Sequence, residues 1–126
     1  VSSAAFSPDG ILLALGCSDN STYVYDVRFL EEDAPTPVAR FRHDRKIGTE
    51  RSYGVTCVEW APSRGLMSSQ CGYGLYTGGS DGAVRVWRTD VAAESPWNGL
   101  VIAQMDAGIG TFSIGDPCKG EKMLVV

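Results

Sequence analysis

The sequence has little of what metal and acid–base sites are usually made from. It contains one histidine, His43, and four cysteines, no two of which form a C-x-x-C pair. A structural zinc site needs four thiolate or imidazole ligands, usually in closely spaced pairs. We therefore expect no metal and no cofactor. Cysteines without a closely spaced second cysteine are typical of a reduced, intracellular protein, either cytoplasmic or nuclear.

Long apolar runs and a strong positive charge are also absent. The longest apolar runs, residues 11–15 and 123–126, are far too short to span a bilayer. The net charge of −4 argues against a chain that as a whole sits on nucleic acid or on an anionic membrane. The 126 residues are enough for one domain with a sizeable core. We expect no membrane partner and no small-molecule substrate.

Helical spacing of apolar residues is missing as well, and period-two alternation takes its place. Three runs, YVYDV at 23–27, TCVEW at 56–60 and VRVW at 84–87, are rich in β-branched and aromatic residues. Each run is bounded by Gly, Pro, Asp, Asn or Ser, which is the pattern of strands and turns. The chain is therefore predicted to be all-β.

The sequence also repeats itself. Residues 16–25, GCSDNSTYVY, match residues 78–87, GGSDGAVRVW, and a third copy starts near TFS at 111–113. Each full copy reads as four strands separated by turns and a loop. The predicted strands are 2–7, 12–17, 22–27 and 38–42 in the first copy, and 55–61, 75–79, 84–88 and 100–105 in the second.

With FSPDG at 6–10 and TGGSDGAVRVW at 77–87, the chain resembles the WD40 repeat family. The resemblance implies a β-propeller segment with about two four-stranded antiparallel blades and the first half of a third. Because propellers close with about 4–8 blades, the chain is expected to be a piece of a longer protein. The expected parts of this single incomplete domain are a degenerate blade at 1–42, a basic inter-blade loop at 43–54, a blade at 55–106 and the start of a third blade at 107–126.

The resemblance further implies a buried hydrogen-bond network in each blade. A buried indole N–H needs an acceptor, and a hydroxyl can accept that bond and pass another on. The first copy departs from the pattern, since Tyr25 and Leu15 replace the Trp and the hydroxyl and only Asp19 remains. That blade is expected to rely on packing. In the second copy the implied members are Trp87, Thr77, Asp81 and His43.

A competing interpretation concerns Ser80. Residues 78–82 match G-x-S-x-G, the nucleophile elbow of serine hydrolases, in which a helix follows the turn. Here a strand pattern follows, and Asp81-Gly82 is a typical hairpin turn. A hydrolase that uses Ser80, with His43 as its base, stays as a further alternative.

The family resemblance implies a non-catalytic scaffold that binds other proteins within a multi-subunit complex. Residues 40–51 hold five of the 11 basic residues, so a nucleic-acid- or chromatin-associated propeller is the alternative function. A solvated loop between blades is the simpler interpretation of the same residues. The positions expected to contact partners are Arg45, Lys46, Arg51, Tyr53, Ser18 and Ser80.

Overall fold

A computed structural model describes residues 1–30, 35–43, 54–62, 73–89, 98–115, 120, 122 and 124–126. Within this part of the chain there are ten strands in three antiparallel sheets, one short 3-10 helix and no α-helix. The all-β prediction is confirmed.

The first sheet contains four strands in chain order, so each strand pairs with its sequence neighbour. The 3-10 helix Val27–Phe29 follows the third strand and is capped by the Asp26 side chain. Ser21 and Thr22, which open the third strand, are both buried. The strands are β1 (Ser3–Phe6), β2 (Leu12–Gly16), β3 (Ser21–Asp26) and β4 (Ala39–Arg42).

The second sheet has the same order and the third is a two-stranded pair, as expected for two blades and the beginning of another. Each predicted strand overlaps an observed one. The strands of the second sheet are β5 (Val55–Pro62), β6 (Tyr73–Gly79), β7 (Ala83–Trp87) and β8 (Leu100–Gln104), and those of the third are β9 (Ser113–Ile114) and β10 (Leu124–Val125).

The two repeats build the same turn between their second and third strands. Asn20 and Gly82 occupy equivalent positions with φ of 74° and 84°. The preceding aspartates close the turn, since Asp19 Oδ1 accepts from the Ser21 N–H and Asp81 Oδ1 accepts from the Ala83 N–H. An Asx side chain that accepts from the backbone two residues on is a standard turn stabiliser.

Side chains that alternate along the strands form two separate cores. In β7, Trp87 belongs to the first core, between sheets one and two, whereas Val84 and Val86 belong to the second core, between sheets two and three. Strands β6 and β7 of the middle sheet are thus buried on both faces, which explains their largely apolar character, whereas β8 at the edge of this sheet is mostly exposed. The first core also contains Ala14, Val24, Phe41, Val55, Val58, Trp60 and Leu75, and the second also contains Ala61, Tyr76, Ile109 and Phe112.

Successive sheets are joined by the same contact. The Val55 N–H donates to the Cys17 carbonyl at 3.0 Å, and the Ile109 N–H donates to the Gly79 carbonyl at 3.0 Å. A glycine precedes each donor, because a Cβ at Gly54 would lie 3.0 Å from a backbone atom of the preceding turn. A joint repeated with one geometry stacks sheets in a regular series, as a propeller requires.

A hydroxyl spans each joint as well. Ser2 Oγ donates towards the carbonyls of Gly16 and Val55. At the equivalent position in the next sheet, Thr56 Oγ1 lies 3.0 Å from the Gly78 carbonyl and 2.6 Å from the Ile109 carbonyl. One hydroxyl side chain, just before β1 in the first sheet and within β5 in the second, therefore ties each of these sheets to the next.

Substitution of Gly99 would show how tightly the first core is packed. Its φ is 72°, and a Cβ there would overlap the Trp87 ring, whereas Gly10 has a similar φ of 74° with open space around it. We expect Gly10→Ala to cost only the backbone strain, about 1–2 kcal/mol, and Gly99→Ala to cost about 1–3 kcal/mol more through overpacking. Thermal unfolding of the full-length protein checks this, and equal losses in the two variants would contradict the packing argument.

Candidate functional site

A chain of buried hydrogen bonds runs through the joint between sheets one and two. The Trp87 Nε1–H donates to Thr77 Oγ1 at 2.8 Å, and His43 Nε2 lies 2.6 Å from the same hydroxyl. On its other side His43 Nδ1 lies 3.1 Å from Asp81 Oδ2. We call these four residues the polar chain. All four are buried, and the structure brings together the set that the family resemblance implies.

The polar chain is assembled from both sheets. Thr77 lies in β6, Trp87 ends β7, and Asp81 lies in the turn between these two strands. His43 directly follows β4 of the first sheet. The imidazole is therefore the only member that crosses the joint.

One arrangement of protons satisfies every member. Trp87 is a donor only, so Thr77 Oγ1 accepts from it and can donate its own hydrogen to His43 Nε2. The imidazole then carries its proton on Nδ1 and donates it to Asp81. This tautomer follows from the direction of the hydrogen bonds around the ring.

Asp81 is the charged end of the polar chain. Burial by itself would raise the pKa of its carboxyl group, but hydrogen bonds from the His43 side chain and the Ala83 N–H outweigh burial. The pKa therefore lies below its ordinary value of 3.8. A carboxylate that accepts two N–H bonds stays ionised because those bonds stabilise the charged form.

One aromatic ring from outside the polar chain, that of Phe41, packs against it. Phe41 of β4 stacks on Trp87 with ring centroids 4.9 Å apart and an interplanar angle of 16°. The His43 ring is tilted against the same indole, at 6.2 Å and 49°. These contacts shield the hydrogen bonds from water, which strengthens them.

Close approach at the turn requires a glycine. A Cβ at Gly79 would lie 2.6 Å from Asp81 Oδ1 and 2.9 Å from His43 Nδ1. No larger residue fits between the carboxylate and the imidazole without moving one of them. The first glycine of the GGSDG stretch of residues 78–82 has a similar reason, since its Cβ would meet the Ile109 side chain at 2.8 Å.

Two residues that hold the polar chain in place, one at His43 and one at Trp87, are not indicated by the sequence patterns. The Asn20 side-chain amide donates to the His43 carbonyl, and the His43 N–H donates to the Asn20 carbonyl at 3.0 Å. Phe41, which precedes His43 by two residues, provides the stacking partner of Trp87. Alternation in β4 could have placed Phe41 on the inner face, but nothing in the sequence says what that face meets.

Asp19 lies apart from the polar chain. It is exposed, accepts from the Ser21 N–H at 3.0 Å and lies 3.4 Å from the Tyr23 hydroxyl. Because Leu15 stands where the second blade has Thr77, no hydroxyl is present to relay a bond to it. In the first blade the aspartate therefore stabilises only its own turn.

Ser80 is engaged in holding the joint. Its Oγ accepts from the Gly54 N–H at 2.7 Å and lies 3.2 Å from the Gly54 carbonyl. Both ring nitrogens of His43 are occupied by the polar chain, so the imidazole is not placed to act as a base for Ser80. A strand, β7, and not a helix follows the turn. The geometry supports the hairpin interpretation of GGSDG.

Of the other residues expected to contact partners, Ser18 is exposed in the turn between β2 and β3. Arg45, Lys46, Arg51 and Tyr53 lie outside the described residues, as does most of the loop expected at 43–54.

No group of three or more His, Cys, Asp or Glu side chains in the described part of the chain could hold a metal ion. Within the same ranges, no helix has the length and apolar character needed to cross a membrane.

The family model of the WD domain, G-beta repeat, matches residues 1–26 and 42–88. The chain belongs to the WD40 family. The sequence prediction of a WD40 propeller fragment is thus confirmed, and proteins of this family generally serve as non-catalytic scaffolds for protein interactions. The second matched range spans the whole polar chain, from His43 to Trp87.

Two known proteins are similar to this WD40 chain. Rik1-associated factor 1 of Schizosaccharomyces pombe is 29% identical over 103 residues, which are 77% of this chain and 14% of that protein. The solved structure of the Dos1 propeller superposes with a TM-score of 0.61 and 26% identity, over 88% of this chain and 24% of the other. The chain therefore spans less than a quarter of either relative.

Thr77→Val should disconnect the polar chain while keeping the shape of the side chain. It leaves the Trp87 N–H and the His43 Nε2 buried without partners, at about 1–3 kcal/mol for each group. Thr77→Ser keeps the hydroxyl and is the matched control. Thermal unfolding of the full-length protein compares the two, and equal midpoints would contradict a relay through this hydroxyl.

The lowered pKa of Asp81 predicts a loss of stability in acid. A carboxyl group whose folded pKa is depressed stabilises the fold above its unfolded pKa, and this contribution disappears as the pH falls through the folded pKa. Asp81→Asn should therefore be much less stable than wild type at pH 7, and the difference should shrink below about pH 3.8. Unfolding measured against pH checks this, with Asp19→Asn as the control at an exposed turn. A difference that stays constant into acid would show that the charge of Asp81 contributes nothing.

Proposed function

We propose that this chain is part of a WD40 propeller that acts as a protein-interaction scaffold within a multi-subunit assembly. Membership of the WD40 family supports the scaffold role. The name of the Schizosaccharomyces pombe relative describes a factor associated with another protein, Rik1. The observation that carries the proposal is the repeated joint, because it fixes successive turns along one edge of the stack.

That edge, which we call the turn edge, consists of residues 17–20, 54, 79–82 and 108. Gly54 and Gly108 pack against the turns of the preceding sheets, so the four segments form one continuous border. Ser80 is committed to Gly54, whereas Ser18 is exposed. Among the described residues of the turn edge, we propose that Ser18 contacts a partner.

The exposed basic residues of β4 favour a second candidate function, the binding of nucleic acid or chromatin. Arg40 and Arg42 are exposed on this outer strand, and the Arg40 guanidinium lies 5.3 Å from the centroid of the Tyr23 ring. Together with the basic residues that follow in the sequence, they would suit a nucleic acid or chromatin partner. Such binding would depend steeply on salt because it releases counterions from phosphates.

The two functions are separated by affinity capture with the full-length protein and identification of the bound chains. Ser18→Arg adds a large side chain to the turn edge, and Thr89→Arg adds the same side chain at an exposed position beyond the other end of β7. We expect Ser18→Arg to lower capture of a protein partner by about tenfold or more, and Thr89→Arg to leave it unchanged. Equal capture by both variants would exclude the turn edge.

The charge-reversed variant Arg40→Glu/Arg42→Glu tests the nucleic-acid function in the same capture experiment. Loss of capture in this variant and after nuclease treatment, with steep dependence on salt, would favour the nucleic-acid function over the scaffold function. Capture that is unaffected by the reversal and by nuclease keeps the protein scaffold.

A further inference from the structure

Two buried polar atoms in the first joint lack a hydrogen-bond partner. Asn20 is 2% exposed and Thr22 is 1% exposed, yet Asn20 Oδ1 and Thr22 Oγ1 make no hydrogen bond. Leaving a buried hydroxyl or amide oxygen unpaired is unfavourable, so such groups in folded proteins usually have a protein or water partner.

Both residues face the crevice between sheets one and two. Thr22 pairs across the strands with Phe41, whose ring stacks on Trp87 of the second sheet. Asn20 precedes Thr22 by two residues, and its amide already reaches the His43 carbonyl. Val24, two residues after Thr22 on β3, belongs to the first core, so Thr22 faces the same joint. Asn20 lies in the turn before β3, and its bond to His43, whose imidazole enters this joint, holds its side chain beside it.

The second joint shows that these polar groups are not needed for stacking. Its equivalents of Asn20 and Thr22 are Gly82 and Val84, and Val84 is fully buried in an apolar core. A valine would fit where Thr22 stands, because the two side chains have the same shape. The polar pair is thus a feature of the first joint alone among the described residues.

We infer that the first joint contains a single ordered water molecule, which bridges Asn20 Oδ1 and Thr22 Oγ1. Buried waters typically make about three hydrogen bonds to polar groups that are otherwise unsatisfied. The His43 carbonyl accepts the Asn20 amide and has a second lone pair, so it supplies a third contact. This hydration site extends the polar chain from the second sheet into β3 of the first, and it is independent of the proposed scaffold function.

Substitution of Thr22 tests the site. Thr22→Val removes the hydroxyl and keeps the shape, whereas Thr22→Ser keeps the hydroxyl. If the water is present, hydrogen exchange of the β3 and β4 amides in the full-length protein should be about fivefold faster in Thr22→Val than in Thr22→Ser, as expected for loss of one buried hydrogen bond. Exchange that is equal or slower in Thr22→Val would overturn the proposal, because removing an unsatisfied hydroxyl is neutral or stabilising.

Two further measurements make the answer specific. Val84→Thr places a hydroxyl at the equivalent site of the apolar joint and should speed exchange in β7, since no polar group is there to hold a water. A crystal structure of the full-length protein should show one water within hydrogen-bond distance of both Asn20 and Thr22. A dry crevice, or a protein group in that position, would overturn the inference.

Discussion

The fold of this chain depends on pairing four polar groups inside an apolar joint. Trp87, Thr77 and Asp81 belong to the second sheet, and His43 enters from the first. The net free energy of unfolding of a whole domain is about 5–15 kcal/mol. Leaving any of these four groups buried without a hydrogen-bond partner would cost a large part of it. Hydrogen bonds are directional, so the imidazole can reach both neighbours in one relative position of the two sheets only. The polar chain therefore fixes the position of one sheet relative to the other, which the burial of apolar side chains alone would not determine.

Glycine makes this arrangement possible and also makes it repeat. Gly79 lets the carboxylate and the imidazole approach each other, and Gly54 and Gly108 let the chain that enters each new sheet lie against the previous turn. The carbonyls of Cys17 and Gly79 then accept from the N–H groups of Val55, which begins β5, and of Ile109, which lies ahead of β9. Because the same backbone contact recurs, each sheet positions the start of the following one, and the turns line up along one edge without further side-chain contacts.

Alternating residues and turn chemistry predict most of this fold from sequence. The strands and the Asp-Asn and Asp-Gly turns are encoded within a few residues of each position. The membership of the polar chain follows only from the resemblance to the WD40 family, since His43 lies 34 residues from Thr77 along the chain. The roles of Phe41, Asn20 and Gly99 are not encoded locally either, because each depends on a residue far along the chain, which is Trp87 for Phe41 and Gly99 and His43 for Asn20. A stacking partner across a joint leaves no local pattern. Asp19 shows the reverse case. Its turn is preserved in the first blade, but the hydrogen-bond network that the equivalent Asp81 joins in the second blade is absent.

The two joints hold by different means. The first combines the polar chain with the Phe41–Trp87 stack, whereas the second is mainly apolar and includes Tyr76, Ile109 and Phe112. Near the second joint, burial raises the pKa of the Glu59 carboxyl, although a hydrogen bond from the Ile114 N–H opposes this shift. Apolar contacts are non-directional and tolerate small displacements, whereas the polar chain does not. The turn edge is therefore most firmly fixed beside the first joint, where Ser18 is exposed next to Gly54.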